Sequence, residues 1–130
     1  MNPARIRVSV FFLFLLMLAG CSPKQAGQPS NRNVLTSEEI QRSGYTDGFM
    51  AVQSLRPQWL QIRGRTSRNP ETVKVYLDGS LLGSADQLRQ IMTRSISSMR
   101  YYDGLEATQR WGLDHGQGAI VVSTRGSESH

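Results

Sequence analysis

The sequence predicts an α+β fold, in which a small mixed sheet carries short helices. Apolar residues recur at helical spacing before residue 57 and alternate with polar residues after residue 72. Helical segments also lie between the predicted strands, and such connections favour a mixed or parallel sheet with helices packed on it. The segment that carries these patterns is under a hundred residues long, which is enough for one hydrophobic core.

Two helices are expected at the start of the folded part. The first has Glu38 and Glu39 in its first turn, where negative charge suits the helix dipole. The expected boundaries are residues that cap or break helices: Thr36 or Ser37, then Gly44, Thr46 or Asp47, and Pro57. Trp59 and Leu60 follow and are expected to pack on the core, ahead of a polar loop at 62–70.

Strands and shorter helices are expected in the second half. The extended segments lie at 72–77, 81–82, 95–102 and 119–124, and the helical segments lie at 85–91 and 105–111. Turns at Asp78-Gly79 and Asp103-Gly104 are expected between them, because these residue types suit positive φ. Gly112 suits a helix C′ position, and Gly116 and Gly118 permit close backbone approach before the last strand.

The amino terminus has the pattern of an export signal. Arg5 and Arg7 precede an apolar run, VSVFFLFLLML, which has the length of a signal-peptide h-region and is too short to span a bilayer. The run ends in Leu18-Ala19-Gly20-Cys21, which resembles the lipobox of bacterial lipoproteins. The resemblance implies cleavage before Cys21, a diacylglycerol thioether on its sulfur and acylation of the new amino terminus. The alternative is a plain secretory signal peptide that is cut elsewhere.

The leader sets the expected organisation of the rest of the chain. Its removal lowers the formal charge from +5 to +3, and the single cysteine excludes an internal disulfide. We expect a signal peptide at 1–20, a flexible lipid-anchored tether at 21–35, one domain at 36–125 and a disordered tail at 126–130. By analogy with lipoprotein sorting in Gram-negative bacteria, Ser22 in place of an aspartate favours the outer membrane over inner-membrane retention. We expect the protein on the periplasmic face of that membrane.

The stretch from Val73 to Arg125 resembles the carboxy-terminal half of the plug domain of TonB-dependent outer-membrane receptors. The matching blocks are VKVYLDG (73–79), a helical segment with Leu88 and Ile91, ISSMRYYDG (96–104), a helix ending in Arg110-Trp111-Gly112, and GQGAIVVSTR (116–125). The sequence departs from the pattern at Arg100, where Glu is usual, and at Trp111, where Tyr is common. No segment resembles the receptor barrel or a TonB box, so the resemblance implies a plug-like fold and not energised import.

No enzyme site is expected. His115 lies beside Asp114, but His130 is the only other histidine and the carboxylates show no metal-ligand spacing. The glycine-rich stretch at 112–118 lacks the Lys-Ser/Thr pair of a P-loop. We therefore expect His115 to be a solvent-facing loop residue, and we assign no catalytic residue, no metal and no cofactor.

A group of arginines surrounds Trp59 in the sequence. The four cations are Arg56, Arg63, Arg65 and Arg68. One interpretation is contact with anionic lipid head groups, since each charge near such a surface contributes about 1 kcal/mol. The other is a solvated loop around one core tryptophan. An exported protein is not expected to meet nucleic acid.

These observations predict a non-enzymatic outer-membrane lipoprotein whose domain is a protein-interaction module of the envelope. Its partners would be the membrane, through the lipid on Cys21, and an outer-membrane barrel or another envelope protein. The alternative is a lipoprotein that binds a small ligand or a glycan through the loops around Gly79, Gly104 and His115.

Overall fold

The computed structural model describes residues 31–63 and 72–127, and within these ranges five strands form one open sheet. The strands are β1 (Val34–Thr36), β2 (Lys74–Leu77), β3 (Ser80–Ser84), β4 (Ile96–Tyr102) and β5 (Ala119–Thr124). The α-helices are α1 (Ser37–Ser43), α2 (Gly48–Leu55) and α3 (Gly104–Trp111). Short 3-10 helices lie at Pro57–Leu60, Ala85–Gln90, Thr93–Ser95 and Leu113–His115.

The sheet is mixed, as the sequence predicts. Its strand order is β1-β4-β5-β2-β3. The central pair β2 and β5 is parallel, whereas every other neighbouring pair is antiparallel. The chain between β2 and β5 supplies β3, β4 and α3, and this crossover is what makes a parallel central pair possible. The small α+β fold is therefore confirmed.

Local capping explains where the first two helices begin and end. Thr36 and Glu39 form a capping box at the start of α1, and Gly44 ends that helix with φ of 73°. Asp47 caps α2 by accepting a hydrogen bond from the backbone N–H of Met50 at 2.9 Å. All of these contacts join residues close in sequence, which is why the predicted boundaries agree with the structure.

The first face of the sheet carries the main hydrophobic core. Helices α1 and α2 and the 3-10 helices at 57–60 and 85–90 supply its other side. Its buried side chains are Leu35, Ile40, Ala51, Val52, Trp59, Val73, Val75, Leu88, Ile91, Ile96, Met99, Ile120 and Val122. Burial of this continuous apolar surface is the main force that holds the domain together.

The second face carries a smaller and different cluster. Its buried residues are Tyr76, Ala107 and Ala119, with Tyr102, Trp111 and Val121 packed against them. Helix α3 contributes Ala107 and Trp111, and Trp111 contacts Tyr102 at the end of β4. Arg100, two residues before Tyr102 on β4, stays exposed.

The ordered body starts earlier than the sequence predicts. Residues up to 35 were expected to be a flexible tether, but β1 pairs with β4 and Leu35 is fully buried. The backbone N–H of Tyr101 also donates to the Asn33 carbonyl oxygen at 2.8 Å. Three residues are too few to show a strand periodicity, so only the pairing with β4 defines this strand.

Two other predicted segments, the helix at 85–91 and the tail from residue 126, also differ from the structure. The helix expected at 85–91 is a 3-10 helix, Ala85–Gln90, and Ser84 makes no side-chain capping bond. The tail was expected to be disordered from residue 126, but the Ser127 hydroxyl donates to the Thr124 carbonyl oxygen at 2.8 Å. The predicted signal peptide, most of the predicted tether and residues 128–130 lie outside the described residues.

Candidate functional site

An aromatic cluster lies on the second face of the sheet, between β2 and α3. The Tyr76 ring stacks on the Trp111 indole with 4.7 Å between centroids, and Tyr102 meets the same indole edge-on at 5.2 Å. The His115 imidazole lies 5.9 Å from the Tyr76 ring and 5.8 Å from the indole. Stacked and edge-to-face contacts are favoured geometries for aromatic pairs. Three rings therefore hold Trp111, the last residue of α3, in place.

A buried hydrogen bond links Tyr76 to His115. Nδ1 of His115 lies 3.3 Å from the Gly112 carbonyl oxygen, which can only accept, so Nδ1 carries the proton. Nε2 then accepts from the Tyr76 hydroxyl at 2.8 Å. Burial raises the pKa of the Tyr76 hydroxyl above its ordinary value, so the donor stays protonated at neutral pH.

The expectation that His115 faces solvent is wrong. The residue is only 6% exposed, although it lies in a glycine-rich segment. Nothing in the local pattern distinguishes a surface histidine from a buried one, because its partner, Tyr76, is 39 residues away in the sequence.

Two arginines lie over the rings of this cluster. The guanidinium carbon of Arg100 is 5.2 Å from the Tyr102 centroid, and that of Arg110 is 5.5 Å from Tyr102 and 5.3 Å from Trp111. Aromatic faces attract guanidinium groups electrostatically. The ion pairs within the described ranges involve other residues, so neither arginine forms one with a carboxylate of those ranges. We call Arg100, Arg110, Tyr102 and Trp111 the aromatic–arginine site.

The start of α3 positions this site and corrects one expectation. Asp103 was expected to form a turn with Gly104, but its carboxylate accepts from the backbone N–H groups of Leu105 and Glu106, both at 2.9 Å. Asp103 is therefore the N-cap of α3, and Gly104 is the first residue of the helix. A Cβ at Gly104 would collide with the Gly116 carbonyl oxygen, so close approach, and not positive φ, requires glycine here.

The segment after α3 returns the chain to the sheet through two unusual glycines. Gly112 ends the helix with φ of 105°, and its N–H donates to the Thr108 carbonyl oxygen at 2.9 Å. Gly118 has φ of 97°, and a Cβ there would lie 2.7 Å from the Tyr102 carbonyl oxygen. Gly116 has an ordinary φ of −57°. The loop thus brings β5 directly beside β4.

The hairpin between β2 and β3 is built on Asp78 and Gly79. Both have positive φ, 48° and 87°, in a two-residue turn, and Asp-Gly is a favoured pair in such turns. The Asp78 carboxylate also accepts from the Thr124 backbone N–H at 2.8 Å and from its hydroxyl at 2.7 Å. Burial alone would raise the pKa of Asp78, but the bonds from Thr124 and Ser127 outweigh it and lower the pKa.

Strand β3 is an edge of the sheet. It pairs with β2 along one side and is the last strand in the order. Leu81 lies opposite Tyr76, and Leu82 occupies a break in the register. The two leucines are 54% and 40% exposed. Edges with exposed apolar side chains can pair with another strand. The other edge, β1, is three residues long, and Arg56 Nη2 contacts the Val34 carbonyl oxygen there at 3.5 Å.

Trp59 links the first described residues of the chain to the core. It is buried, as expected, and its Nε1–H donates to the Arg32 carbonyl oxygen at 3.0 Å. Its ring stacks on Tyr101 with 5.6 Å between centroids. The Tyr101 hydroxyl contacts the Gln117 carbonyl oxygen at 3.5 Å. The start of the described chain is therefore held against the domain by packing.

The four arginines singled out in the sequence do not form one described surface. Arg56 Nη2 lies 3.1 Å from Glu39 Oε1, and its side chain is only 12% exposed, so this ion pair removes it from the expected cationic group. Arg63 is exposed, and its backbone is held by two hydrogen bonds with the Gln117 side chain. Arg65 and Arg68 lie outside the described residues.

Other predicted features can be placed only in part. Cys21 lies outside the described residues. Within 31–63 and 72–127 no helix is both long and apolar enough to cross a membrane. The same ranges contain no group of three or more His, Cys, Asp or Glu side chains placed to hold a metal ion.

Comparison with known proteins assigns no family to the chain. No family model matches it, and no curated protein matches it either. The plug-domain resemblance therefore depends on the ordered motifs in the sequence alone.

Sequence reasoning missed the aromatic–arginine site as a unit. Its four members occupy the end of β4 and the end of α3, and only the packing of α3 on the sheet brings them together. The available signal was the alternation of Arg100 and Tyr102 along β4, which places them on one face. The pairing of that face with Arg110 and Trp111 has no local signature.

Proposed function

We propose that this chain is a non-enzymatic lipoprotein, exported and anchored to the periplasmic face of the outer membrane through Cys21, whose plug-like domain binds another envelope protein. The lipobox-like segment 18–21 supports the anchor. The tether between Cys21 and Asn31 has a contour limit of roughly 35 Å, so the domain would stay close to the bilayer. A partner at the same membrane is therefore the one that the domain meets most often.

The open edge of β3 is the observation that carries the interaction proposal. Within the described residues its backbone pairs with β2 alone, and Leu81 and Leu82 present apolar surface beside that edge. An extended segment of a partner can add to such an edge, with main-chain hydrogen bonds for affinity and side-chain contacts for specificity. We propose an extended segment of an outer-membrane barrel protein as the occupant.

Site-specific photo-crosslinking in native envelopes tests this proposal. A photoreactive residue is introduced at position 81 or 82 of the full lipoprotein, and at Leu113 as a control, because Leu113 is 85% exposed and lies in the 3-10 helix after α3. We expect the two β3 positions to capture one and the same barrel protein, and position 113 to capture none of it. Mass spectrometry of the linked peptides should locate an extended segment of the partner.

The anchor is tested in the same experiment with Cys21→Ser. We expect capture to disappear in this variant, because an unanchored domain is diluted into the periplasm. Capture that is equal from positions 82 and 113, or recovery of no envelope protein at all, would contradict strand docking. Capture that persists in Cys21→Ser would contradict the need for the lipid.

A second candidate function is the binding of a small ligand or a glycan. The aromatic–arginine site favours it, because Arg110 and Trp111 lie close to two of the loops expected to bind a ligand. Helix α3, which carries both residues, begins at Gly104 and is followed by the turn that ends at His115. Titration of the purified protein with siderophores, glycans and peptidoglycan fragments tests this function. A saturable heat change with one of these classes is expected, and a flat response to all three would contradict it.

A further inference from the structure

The described chain enters the domain at one end of the sheet. The Asn33 carbonyl oxygen accepts from the Tyr101 backbone N–H at 2.8 Å, near the end of β4. The Arg32 carbonyl oxygen accepts from the Trp59 indole N–H at 3.0 Å, and the Trp59 ring stacks on Tyr101. The chain that precedes residue 31 is therefore joined to the domain where β4 finishes. We call this end of the sheet, defined by Arg32, Trp59 and Tyr101, the tether end.

Two further segments bring positive charge to the tether end. The Gln117 side chain makes two hydrogen bonds with the Arg63 backbone, at 2.8 and 2.7 Å, and the Gln117 carbonyl oxygen lies 3.5 Å from the Tyr101 hydroxyl. Burial raises the pKa of Tyr101, and the nearby charge of Arg63 partly offsets that rise. Lys74 begins β2 at the same end, because its N–H donates to the Gly118 carbonyl oxygen at 3.1 Å. Cations from three separate segments thus lie at this end.

The surface of the tether end combines charge with an exposed aliphatic side chain. Arg32 and Arg63 are exposed, and neither forms an ion pair within residues 31–63 and 72–127. Asp103 also lies near Tyr101, but its carboxylate accepts two backbone N–H groups of α3. Ile62, next to Arg63, is 43% exposed. Cations beside an exposed apolar group suit a membrane interface, where anionic head groups attract charge and apolar atoms reach the acyl boundary.

The length of the predicted tether brings this end to the bilayer before the other. Ten residues lead from Cys21 to Asn31, and a flexible chain of that length has an r.m.s. reach of roughly 17 Å. Strand β4 has seven residues, which span roughly 23 Å. When the tether end touches the head groups, the far end of the sheet therefore lies beyond the screening length of about 10 Å at 0.1 M salt.

We propose that the tether end binds the anionic phospholipid surface of the membrane that holds the anchor, through Arg32, Arg63 and Ile62, with Lys74 adding charge. The orientation depends on the lipid anchor of the proposed function. Strands β1, β2 and β5 begin at the tether end and β4 finishes there, so docking stands the sheet upright on the bilayer. The edge strand β3 then faces sideways, towards proteins of the same membrane.

Fluorescence quenching from the membrane surface tests this orientation on the full mature lipoprotein in vesicles. A thiol-reactive fluorophore is attached at Gln61→Cys, at the tether end, or at Ser80→Cys, beside the Asp78-Gly79 turn at the far end. Both positions are exposed, and acylation blocks Cys21. The quencher is a lipid with a nitroxide on its head group, in vesicles that contain either phosphatidylglycerol or neutral phosphatidylcholine.

We expect strong quenching at position 61 and little at position 80 in the phosphatidylglycerol vesicles. Quenching at position 61 should be clearly weaker in the neutral vesicles, because only the tether then holds this end near the bilayer. It should also weaken in about 1 M salt, where the Debye length is about 3 Å.

Arg32→Gln combined with Arg63→Gln should lower the quenching at position 61 to the level of the neutral vesicles. Arg94→Gln combined with Arg125→Gln is the matched control, because both arginines are exposed and lie at the far end, where β4 begins and β5 ends. It should leave the quenching at position 61 unchanged. Ile62→Ser should lower the quenching as well, and full quenching in that variant would overturn the role assigned to Ile62. The urea midpoints of all variants should match that of the parent chain.

Equal quenching at position 61 in anionic and neutral vesicles would overturn the proposal, because the tether alone would then explain it. An equal loss in the two double variants, or equal quenching at positions 61 and 80, would also overturn it. A chain that fails to float with the vesicles overturns the anchor and the orientation together. A chain that floats but fails the charge test overturns the orientation alone and leaves the crosslinking result at β3 unchanged.

Discussion

The two faces of the sheet differ in what holds them and in how completely they are covered. The first face is packed by α1, α2 and two 3-10 helices around aliphatic side chains and Trp59. On the second face, within the described residues, the eight-residue helix α3 packs beside Tyr76 and Tyr102, and the contacts include ring stacking, one buried hydrogen bond and two cation–π contacts to Tyr102. Alternation along β5, and along β4 after its irregularity at 96–98, thus gives one sheet two faces that are packed differently within the described residues.

The largest expected effect is on the first face. Trp59→Ala should lower the free energy of unfolding by about 3–5 kcal/mol, because it opens a large cavity and removes the donor to the Arg32 carbonyl oxygen. Urea unfolding followed by far-UV circular dichroism measures the change. Trp59→Phe retains most of the apolar volume and should be clearly less damaging. Similar values for the two variants would show that the hydrogen bond, and not the packing, matters most.

Gly104→Ala should be the most damaging small change on the second face. The new methyl group meets the Gly116 carbonyl oxygen, so α3 must shift away from the loop, at about 1–3 kcal/mol. The nearest atom to a Cβ at Gly126 is the Thr124 hydroxyl oxygen at 4.0 Å, which makes Gly126→Ala a suitable control. Chemical denaturation of both variants decides the matter. An unchanged denaturation midpoint for Gly104→Ala would mean that α3 is not packed tightly against the loop at Gly116.

Tyr76→Phe isolates the buried hydrogen bond of the second face. The ring contact with Trp111 remains, but His115 Nε2 loses its donor, so we expect a loss of about 1–2 kcal/mol. Tyr101→Phe is the comparison on the first face, where the hydroxyl contact to the Gln117 carbonyl oxygen is long, 3.5 Å, and should contribute less. If both variants lose the same free energy of unfolding, the Tyr76–His115 bond contributes no more to stability than the long Tyr101 contact.

The smallest expected effect lies at the hairpin and depends on pH. Hydrogen bonds from Thr124 and Ser127 lower the pKa of Asp78 below its ordinary value of 3.8. The folded state therefore binds a proton less readily than the unfolded chain, and this contribution is present above the unfolded pKa. It is lost as the pH falls through the lowered folded value.

Asp78→Asn should remove that pH dependence. The variant should be less stable than the parent chain at pH 7, by less than about 1 kcal/mol, and the difference should shrink towards pH 3. Thermal unfolding at several pH values measures it. Asp86→Asn is the comparison, because Asp86 is exposed in the 3-10 helix at 85–90 and its nearest cationic nitrogen, on Arg89, is 3.9 Å away. A constant difference between Asp78→Asn and the parent at all pH values would contradict this account.

The elements that sequence reasoning predicted are those with local causes. The caps at Thr36 and Asp47 act within three residues, and the turn at Asp78-Gly79 is defined by its own backbone angles. The strand at 119–124 has enough β-branched residues to be recognised alone. By contrast, β1 exists because β4 pairs with it, and its three residues carry no periodicity of their own.

The candidate sites also contain features with local causes and features that depend on tertiary contacts. The exposed leucines of β3 were visible as a short apolar pair after a turn signal, although their place at the sheet edge was not. The change of Asp103 from turn residue to helix cap, and the burial of His115, depend on how α3 docks on the sheet. Arg56 was expected at a surface, but a carboxylate 17 residues away in the chain pairs with it.

The sequence by itself determined the periodicities, the helix caps and the Asp-Gly hairpin, because these depend on interactions between near neighbours. It also contains the leader and the Cys21 motif, on which the proposed localisation depends. Only the tertiary structure decided which strands are edges and which arginines remain without a carboxylate partner in the described chain. It also brought Arg100 and Arg110 to the same ring. Those features depend on contacts between residues far apart in the chain, which a single sequence does not specify until its sheet has formed.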